Sequence, residues 1–199
     1  MELAIGVDFT SVIFPMMEAK SFYLKRKVGK PFDLPLGKKL DREWALQNLR
    51  VRGVPLTSAQ YNEAISETWG NLKQFRPYAG SMQALCHLST HFNGEVNVLT
   101  DVQEKQTTRR VAEYLSEHCH SSRFQILNGP KLKVAMSCDV CIDNDLGVLR
   151  RLVNGTRLLM HLTPNGQCST EMAEGVLPID SFASALRILQ EQGYYRKAA

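Results

Sequence analysis

Short apolar runs alternate along much of the chain with longer segments whose apolar residues recur at helical spacing. Such runs are typical of strands buried in a parallel sheet, and the longer segments are typical of helices packed against it. The predicted strands cover residues 3–7, 96–99, 124–127, 140–142 and 158–162. The predicted helices cover residues 81–92, 104–118, 146–153 and 181–192, the last capped by Asp180. This alternation predicts an α/β fold, a doubly wound, Rossmann-like parallel sheet with helices on both faces.

The alternation is interrupted between residues 15 and 75, where the chain is basic, aromatic and helical in pattern. Asp41 is predicted to cap one helix in this stretch. Thr57 and Gln60 have the spacing of a capping box, which predicts the start of a second helix. We therefore expect residues 15–75 to form a small, mostly helical cap insertion, and residues 1–14 and 76–199 to form the α/β core domain.

Positive charge is concentrated in that insertion. The whole chain has a net charge of +4, but residues 15–76 carry 12 basic and 6 acidic residues, and the remainder carries 12 basic and 14 acidic. A basic insertion beside an acidic body suits an anionic ligand such as a phosphate ester, although a solvated surface is the simpler explanation. The basic run at residues 25–27 is brief and the pI of 8.8 is not extreme, so nucleic acid is not the expected partner.

The chain carries no apolar run near the ~20 residues that cross a bilayer, and its first residues lack the basic segment of a signal peptide. Its five cysteines are scattered and odd in number, which argues against a disulfide framework and favours a reducing compartment. Cys138 and Cys141 have C-x-x-C spacing, but on a strand they would point to opposite faces, so we expect no zinc site. These features predict a cytoplasmic protein without a membrane partner. They make no prediction about its oligomeric state.

Three of the predicted strands end in polar residues. Asp8 follows the first strand, Thr100 and Asp101 follow the second, and Asp143 ends the strand at 140–142. In open α/β sheets the ligand crevice lies outside the carboxyl ends of the strands, so separate strands can bring these residues together. Lys133 precedes Asp143 and adds a positive charge to the set. The ordered set predicts one polar site at this edge of the sheet.

The segments around these residues resemble the motifs of the haloacid dehalogenase superfamily. Asp8-Phe9-Thr10-Ser11-Val12 resembles motif I, and residues 96–101 resemble motif II. Lys133 followed by residues 137–144 resembles motifs III and IV, with a spacing similar to that of the 5′-nucleotidase and deoxyribonucleotidase branch. The insertion at residues 15–75 corresponds in position to the helical cap of the superfamily. The resemblance covers nearly the whole chain and depends on the order and spacing of the motifs.

The resemblance implies a nucleophile and a magnesium site. Asp8 would attack phosphorus to form an aspartyl-phosphate, which divides one difficult step into two. Mg²⁺ would neutralise the charge between the two anions, and it prefers oxygen ligands. Asp8 and Asp143 would supply carboxylates and Thr10 its backbone carbonyl. Asn144 or Asp145 would hold a metal-bound water.

The resemblance also implies a phosphate site. The hydroxyl of Thr100, the backbone N–H of Asp101 and the ammonium of Lys133 would contact the transferring phosphoryl group. Lys131 is the alternative lysine. The implied substrate is a small phosphate ester, with nucleotides as one candidate class.

Three positions depart from the superfamily pattern. Thr10 stands where most of these phosphatases have an aspartate that protonates the leaving oxygen and later activates water, and a threonine cannot titrate near neutral pH. Ser11 replaces the usual glycine, and Asn144 replaces the usual second acid of motif IV. P-type ATPases also carry threonine at the offset of Thr10 and still form an aspartyl-phosphate.

Two hypotheses follow from these patterns. The first is a Mg²⁺-dependent phosphohydrolase that works through Asp8, with a rate limited by Thr10. The second is a non-hydrolytic protein that binds phosphate, a nucleotide or a protein partner on a degenerate scaffold, and Thr10 and Asn144 motivate it. The substitution Thr10→Asp separates the two, because a large gain in hydrolysis would show that the remainder of the site is competent.

Overall fold

A computed structural model describes residues 3–29, 42–101, 104–120, 124–155, 158–162 and 173–194. Their regular elements are, in chain order, β1 (Ala4–Asp8), α1 (Met16–Val28), α2 (Arg42–Val51), α3 (Ser58–Gly70), a 3₁₀ turn (Leu72–Gln74), α4 (Ser81–His91), β2 (Glu95–Thr100), α5 (Lys105–His118), β3 (Phe124–Asn128), α6 (Lys131–Ala135), β4 (Val140–Asp143), α7 (Leu146–Leu152), β5 (Leu158–Leu162), β6 (Val176–Ile179) and α8 (Phe182–Glu191).

The six strands form one parallel sheet in the order β3-β2-β1-β4-β5-β6. This is the strand order of doubly wound dinucleotide-binding folds, in which the chain direction across the sheet reverses between β1 and β4. The predicted fold class is therefore confirmed. The sixth strand was not predicted, because Pro178 interrupts its short apolar run, and a proline is tolerated in β6 at the edge of the sheet.

Helices cover both faces of the sheet. On one face, α6 and α7 pack against each other and enclose Leu99, Cys141 and Leu159 in an apolar cluster. Neighbouring residues of β4 and β5 point to the other face because side chains alternate along a strand. Ile142 and Met160 are fully buried on that face. The helices α4 and α8 form a second packed pair, separate from α6 and α7. Burial on both sides explains why these strands are mostly apolar, with Asp143 and His161 as the polar exceptions near their carboxyl ends.

The helix predictions agree with the structure except at a few ends and caps. Ser181, not Asp180, is the N-cap of α8, since its hydroxyl accepts from the backbone N–H of Ser184. Asp180 instead accepts hydrogen bonds from the hydroxyls of Ser181 and Ser184, which lowers the pKa of its carboxyl group. The predicted cap Asp41 lies outside the described residues. The short helix α6 was not predicted from the sequence.

The chain divides into two compact units, one made of Met1–Phe14 with Pro77–Ala199 and the other of Pro15–Arg76. The second unit is helical, and α1 packs against α3 around buried Tyr23, Leu24 and Tyr61. The capping box at Thr57 is present, with both of its reciprocal hydrogen bonds to Gln60. The role of this unit as a cap over the core domain stays a prediction.

The cysteines correct one expectation. Cys86 in α4 and Cys119 after α5 are joined by a disulfide, with their Cα atoms 5.6 Å apart. An odd cysteine count excludes complete pairing but is compatible with a single bridge, so the count does not reveal this pair. Cys138 and Cys141 are buried and remain thiols, and burial raises the pKa of Cys138. None of the described helices combines the length and apolar character needed to cross a membrane.

Candidate active site

The carboxyl ends of three neighbouring strands bring predicted site residues to one edge of the sheet. Asp8 ends β1, Thr100 ends β2 and Asp143 ends β4, and all three are almost completely buried. The register pairs Val7 with Ile142, so Asp8 and Asp143, each one residue further on, lie level on adjacent strands. The β1–β4 pair is the point where the strand order reverses, and α/β sheets bind ligands in the crevice at such a point.

A compact turn at residues 9–14 follows β1. The backbone N–H of Phe14 donates to the carbonyl of Phe9 at 2.9 Å, and that of Ser11 donates to the carbonyl of Phe14 at 2.8 Å. The rings of Phe9 and Phe14 stack at 5.4 Å, and both meet the ring of Tyr114 in α5 at a steep angle. Burial raises the pKa of Tyr114 well above its usual value, so its phenol stays neutral. This aromatic cluster anchors the turn on α5.

Ser11 holds the turn in an unusual backbone conformation. Its φ angle is 65°, and it is the one non-glycine residue with positive φ in the described part of the chain. A side chain in this region costs roughly 1 kcal/mol or more, because Cβ approaches the backbone carbonyl. Residues 8–12 resemble a motif that usually has a glycine at the position of Ser11. A glycine there would avoid this cost.

Two donors converge on one carboxylate oxygen of Asp8. The hydroxyl of Thr10 donates to Asp8 Oδ2 at 3.0 Å. One atom of the Asn144 side-chain amide lies 3.3 Å from the same oxygen and 3.2 Å from the backbone carbonyl of Thr10. Because both oxygens are acceptors, this atom is assigned as the amide nitrogen, which donates to both. These contacts restrain the position of Asp8 Oδ2. They also link the turn after β1 to the segment after β4.

The segment after β4 is held by hydrogen bonds to its own residues and to β5. Asp143 Oδ1 accepts from the backbone N–H of Asp145 at 2.7 Å, and Asp145 Oδ1 accepts from Gly147 at 3.0 Å as the N-cap of α7. His161 Nε2 lies 3.1 Å from the carbonyl oxygen of Asn144. His161 pairs with Asp143 in the register of β4 and β5. The sequence reasoning missed His161, although its place near the end of an apolar strand signalled proximity to the site.

The structure gives fewer contacts for the predicted phosphate ligands than for the predicted metal ligands. The carbonyl of Thr100 accepts from Gly129 at 3.3 Å, so its backbone is tied to the end of β3. Asp101 follows β2 with an exposed side chain, and Lys133 is exposed on α6. Only the backbone of Lys131 is described. The contacts of these residues with a phosphate therefore stay predictions.

The donor set at the carboxyl edge fits magnesium. Asp8 and Asp143 offer carboxylate oxygens and Thr10 a backbone carbonyl, and hard oxygen donors are the ligands that Mg²⁺ takes. Within the described residues, no three histidine, cysteine or acidic side chains gather as a metal cluster. The candidate site differs from such a cluster because only two of its donors are carboxylates.

The sequence matches no protein-family model and no curated protein. Solved structures do match over nearly the whole length of both chains. A HAD-family hydrolase from Deinococcus radiodurans R1 with bound phosphate and sodium has a TM-score of 0.64, 14% identity, and coverage of 98% of each chain.

Two further structures give the same result. A Bacillus subtilis protein described as the HAD-hydrolase YfnB, bound to magnesium, has a TM-score of 0.62 and 11% identity, covering 95% of this chain and 99% of its own. A haloacid dehalogenase-like family hydrolase from Streptococcus pneumoniae has a TM-score of 0.60 and 14% identity, with the same coverage. This likeness shows that the chain has the haloacid dehalogenase-like fold. It does not distinguish the nucleotidase branch from others.

Proposed function

We propose that this protein is a Mg²⁺-dependent phosphohydrolase that acts on a small phosphate ester through an aspartyl-phosphate at Asp8. The observation that carries the proposal is the position of Asp8. Its buried carboxylate lies at the topological switch point, level with Asp143, and is fixed by donors from Thr10 and Asn144. The haloacid dehalogenase-like fold supports the same reaction class by analogy.

In the first step, a carboxylate oxygen of Asp8 attacks phosphorus and forms a new P–O bond. The bond between phosphorus and the ester oxygen breaks, and the leaving oxygen takes the electron pair and then a proton from solvent water. Fixing the nucleophile in one orientation lowers the entropic part of the barrier. The hydrogen bond from Thr10 to Asp8 Oδ2 contributes to that orientation.

In the second step, water attacks the phosphorus of the aspartyl-phosphate, inorganic phosphate leaves and the Asp8 carboxylate is restored. Both steps benefit from a group that exchanges a proton, which contributes roughly 10²–10⁴ in rate. Thr10 occupies the place of that group and cannot supply a proton near neutral pH. We therefore expect slow turnover. With an ester whose leaving group needs no proton, such as p-nitrophenyl phosphate, only the second step is strongly slowed, and the aspartyl-phosphate should accumulate.

Mg²⁺, when bound, would neutralise the negative charge that Asp8 and the phosphoryl group bring together. Asp8, the Thr10 carbonyl and Asp143 would hold it, with Asn144 or Asp145 next to its water ligands. Asp145 already uses one carboxylate oxygen to cap α7, so its second oxygen would serve this purpose. The hydroxyl of Thr100, the Asp101 N–H and Lys133 would contact the phosphoryl oxygens.

A second candidate function is phosphate-ester binding without turnover. Thr10 is the observation that favours it, because the position of the acid holds only a hydroxyl that donates to Asp8. Calorimetric binding of a phosphate ester with Mg²⁺, without release of inorganic phosphate over hours, would support this function over hydrolysis.

The test of the proposed function is release of inorganic phosphate from a panel of phosphate monoesters, including p-nitrophenyl phosphate and nucleoside monophosphates. Wild type is compared with Asp8→Asn, each with Mg²⁺ and with EDTA. We expect Mg²⁺-dependent release by wild type and a background rate for Asp8→Asn. Equal rates in the two proteins would contradict the proposal.

Asp180→Asn is the matched control. Asp180 also follows a strand at this edge, but β6 lies three strands from β1, or about 14 Å at ordinary strand spacing. The variant should keep the wild-type rate. A comparable loss in Asp180→Asn would mean that the effect of Asp8→Asn is not specific to the switch point.

A further inference from the structure

The amide of Asn144 faces two oxygen atoms that belong to the proposed magnesium ligands. One amide atom lies 3.3 Å from Asp8 Oδ2 and 3.2 Å from the carbonyl oxygen of Thr10. Both of these oxygens are acceptors, so an amide oxygen in that place would repel both, whereas an NH₂ group has two hydrogens to donate. Without a cation, hydrogen-bond chemistry therefore requires the nitrogen of Asn144 to face Asp8 and Thr10.

The same spacing suits the opposite amide orientation when a cation is present. Adjacent oxygen ligands of an octahedral Mg²⁺, each about 2.1 Å from the metal, lie about 3.0 Å apart. The Asn144 atom stands at nearly this separation from Asp8 Oδ2 and from the Thr10 carbonyl. An oxygen in that place could thus be a further ligand to a cation held by Asp8, the Thr10 carbonyl and Asp143.

The backbone of Asn144 is fixed while its amide remains able to turn. With Nε2 protonated, His161 donates to the Asn144 carbonyl, and Asp143 immediately before it is anchored in β4. The terminal torsion of an asparagine side chain is broad and nearly two-fold, so a half-turn of the amide needs little other movement. Asn144 can therefore exchange donor for acceptor without displacing the strand.

We propose that Asn144 is a positioning residue that takes the place of the cation when the site is metal-free. Its NH₂ group holds Asp8 and the Thr10 carbonyl together, and on metal binding the amide turns and presents its oxygen. This inference rests on the proposed function, since it concerns the same site. An aspartate at this position would add a third negative charge beside Asp8 and Asp143. The asparagine therefore keeps the metal-free site assembled and weakens cation binding.

The test uses metal binding and stability and needs no substrate. Mn²⁺ affinity is measured by electron paramagnetic resonance, and melting temperature is measured in EDTA and with Mg²⁺, for wild type, Asn144→Asp and Asn144→Ala. Asn144→Asp should bind Mn²⁺ about tenfold more tightly or better, because ligand charge tunes affinity. In EDTA it should melt below wild type, and Mg²⁺ should raise its melting temperature more than that of wild type.

The Asn144→Ala variant isolates the amide, since it removes the donor without adding charge. It should melt below wild type in EDTA. A ¹⁵N spectrum supplies a direct readout, because the side-chain NH₂ signals that disappear in Asn144→Ala should shift in wild type when Mg²⁺ is added. Unchanged NH₂ signals in saturating Mg²⁺ would overturn the proposal.

Asn128→Asp is the charge control, because Asn128 ends β3 at the same edge of the sheet with an exposed side chain. It should leave Mn²⁺ affinity near the wild-type value. An equal gain in Asn128→Asp and Asn144→Asp would overturn the proposal, as net charge alone would then explain both. These measurements do not depend on turnover. Equal phosphate release by wild type and Asp8→Asn would contradict the proposed function, whereas unchanged Asn144 NH₂ signals would contradict only the role of this amide.

Discussion

Thr10 limits the rate of the proposed reaction at the nucleophile Asp8. Its hydroxyl orients Asp8 by a 3.0 Å hydrogen bond but cannot exchange protons as a carboxylic acid does. The residue thus supports nucleophilic attack while withholding the proton transfers of both steps. Because Thr10 orients the nucleophile without transferring protons, the site is compatible with slow hydrolysis and with binding without turnover.

Replacing Thr10 with aspartate should restore those proton transfers. We expect Thr10→Asp to raise the Mg²⁺-dependent hydrolysis rate by up to about 10²–10⁴-fold, the usual contribution of a general acid–base group. Initial rates of phosphate release measure the effect. Thr10→Val is the control, since it is similar in size without an acid or a hydroxyl, and it should show no gain. A Thr10→Asp rate no higher than wild type would mean that another part of the site limits turnover.

Ser11 carries a conformational cost that a glycine would remove. Ser11 has a φ of 65°. The change Ser11→Gly should therefore raise the free energy of unfolding by about 1 kcal/mol. Relief of the clash between Cβ and the backbone outweighs the added freedom of the unfolded chain. Urea unfolding measures this. Ser11→Ala keeps Cβ and loses only the hydroxyl, so it should give no gain. Stabilisation by both variants would attribute the effect to the hydroxyl instead.

At the scale of elements, β1 is constrained by a close approach at Gly6. A Cβ atom added there would lie 2.8 Å from Cys138 Sγ and 2.9 Å from Leu99 Cδ1, closer than real contacts allow. Both neighbours belong to the apolar cluster under α6 and α7. The small residue therefore lets that face pack tightly against the central strand.

Gly6→Ala should accordingly lower the free energy of unfolding by about 1–3 kcal/mol, the usual cost of overpacking a core. Gly155→Ala is the control, because a Cβ there would have nothing within 4 Å and the φ angle is not in the left-handed region. It should leave the free energy of unfolding nearly unchanged. Equal effects of the two changes in urea unfolding would show that the contact with Cys138 is not the cause.

The sequence predicted elements where periodicity and burial coincide. β1, β2 and β4 are buried on both faces, so apolar residues dominate them and their strands can be predicted from the local sequence alone, although Asn97 interrupts the apolar run of β2. β6 was missed because its pattern of two exposed residues between two buried ones, with a proline among them, is ordinary for an edge strand but gives no apolar run. The basic and aromatic helix α1 was not delimited because its polar and apolar residues are not segregated to separate faces.

For the whole molecule, the sequence predicted which residues end the strands but not the order of the strands. That order depends on contacts between distant segments, and it is what sets Asp143 level with Asp8. The amide contacts of Asn144 depend on how β4 lies against β1, and the sequence does not give that arrangement. The strand-end position of His161 signalled that it lies near the site, but its pairing with Asp143 depends on the register of β4 with β5. The roles of Thr100, Asp101 and Lys133 depend on a bound phosphate and stay predictions.

The most direct test of the central claim is to trap and locate the phosphoryl group. The protein is incubated with p-nitrophenyl phosphate and Mg²⁺, quenched in acid, digested and analysed by mass spectrometry. We predict one phosphoryl group on the peptide that contains Asp8, more of it in wild type than in Thr10→Asp, and none in Asp8→Asn. A phosphoryl group on another residue, or hydrolysis by wild type without any label on Asp8 at any quench time, would contradict the account.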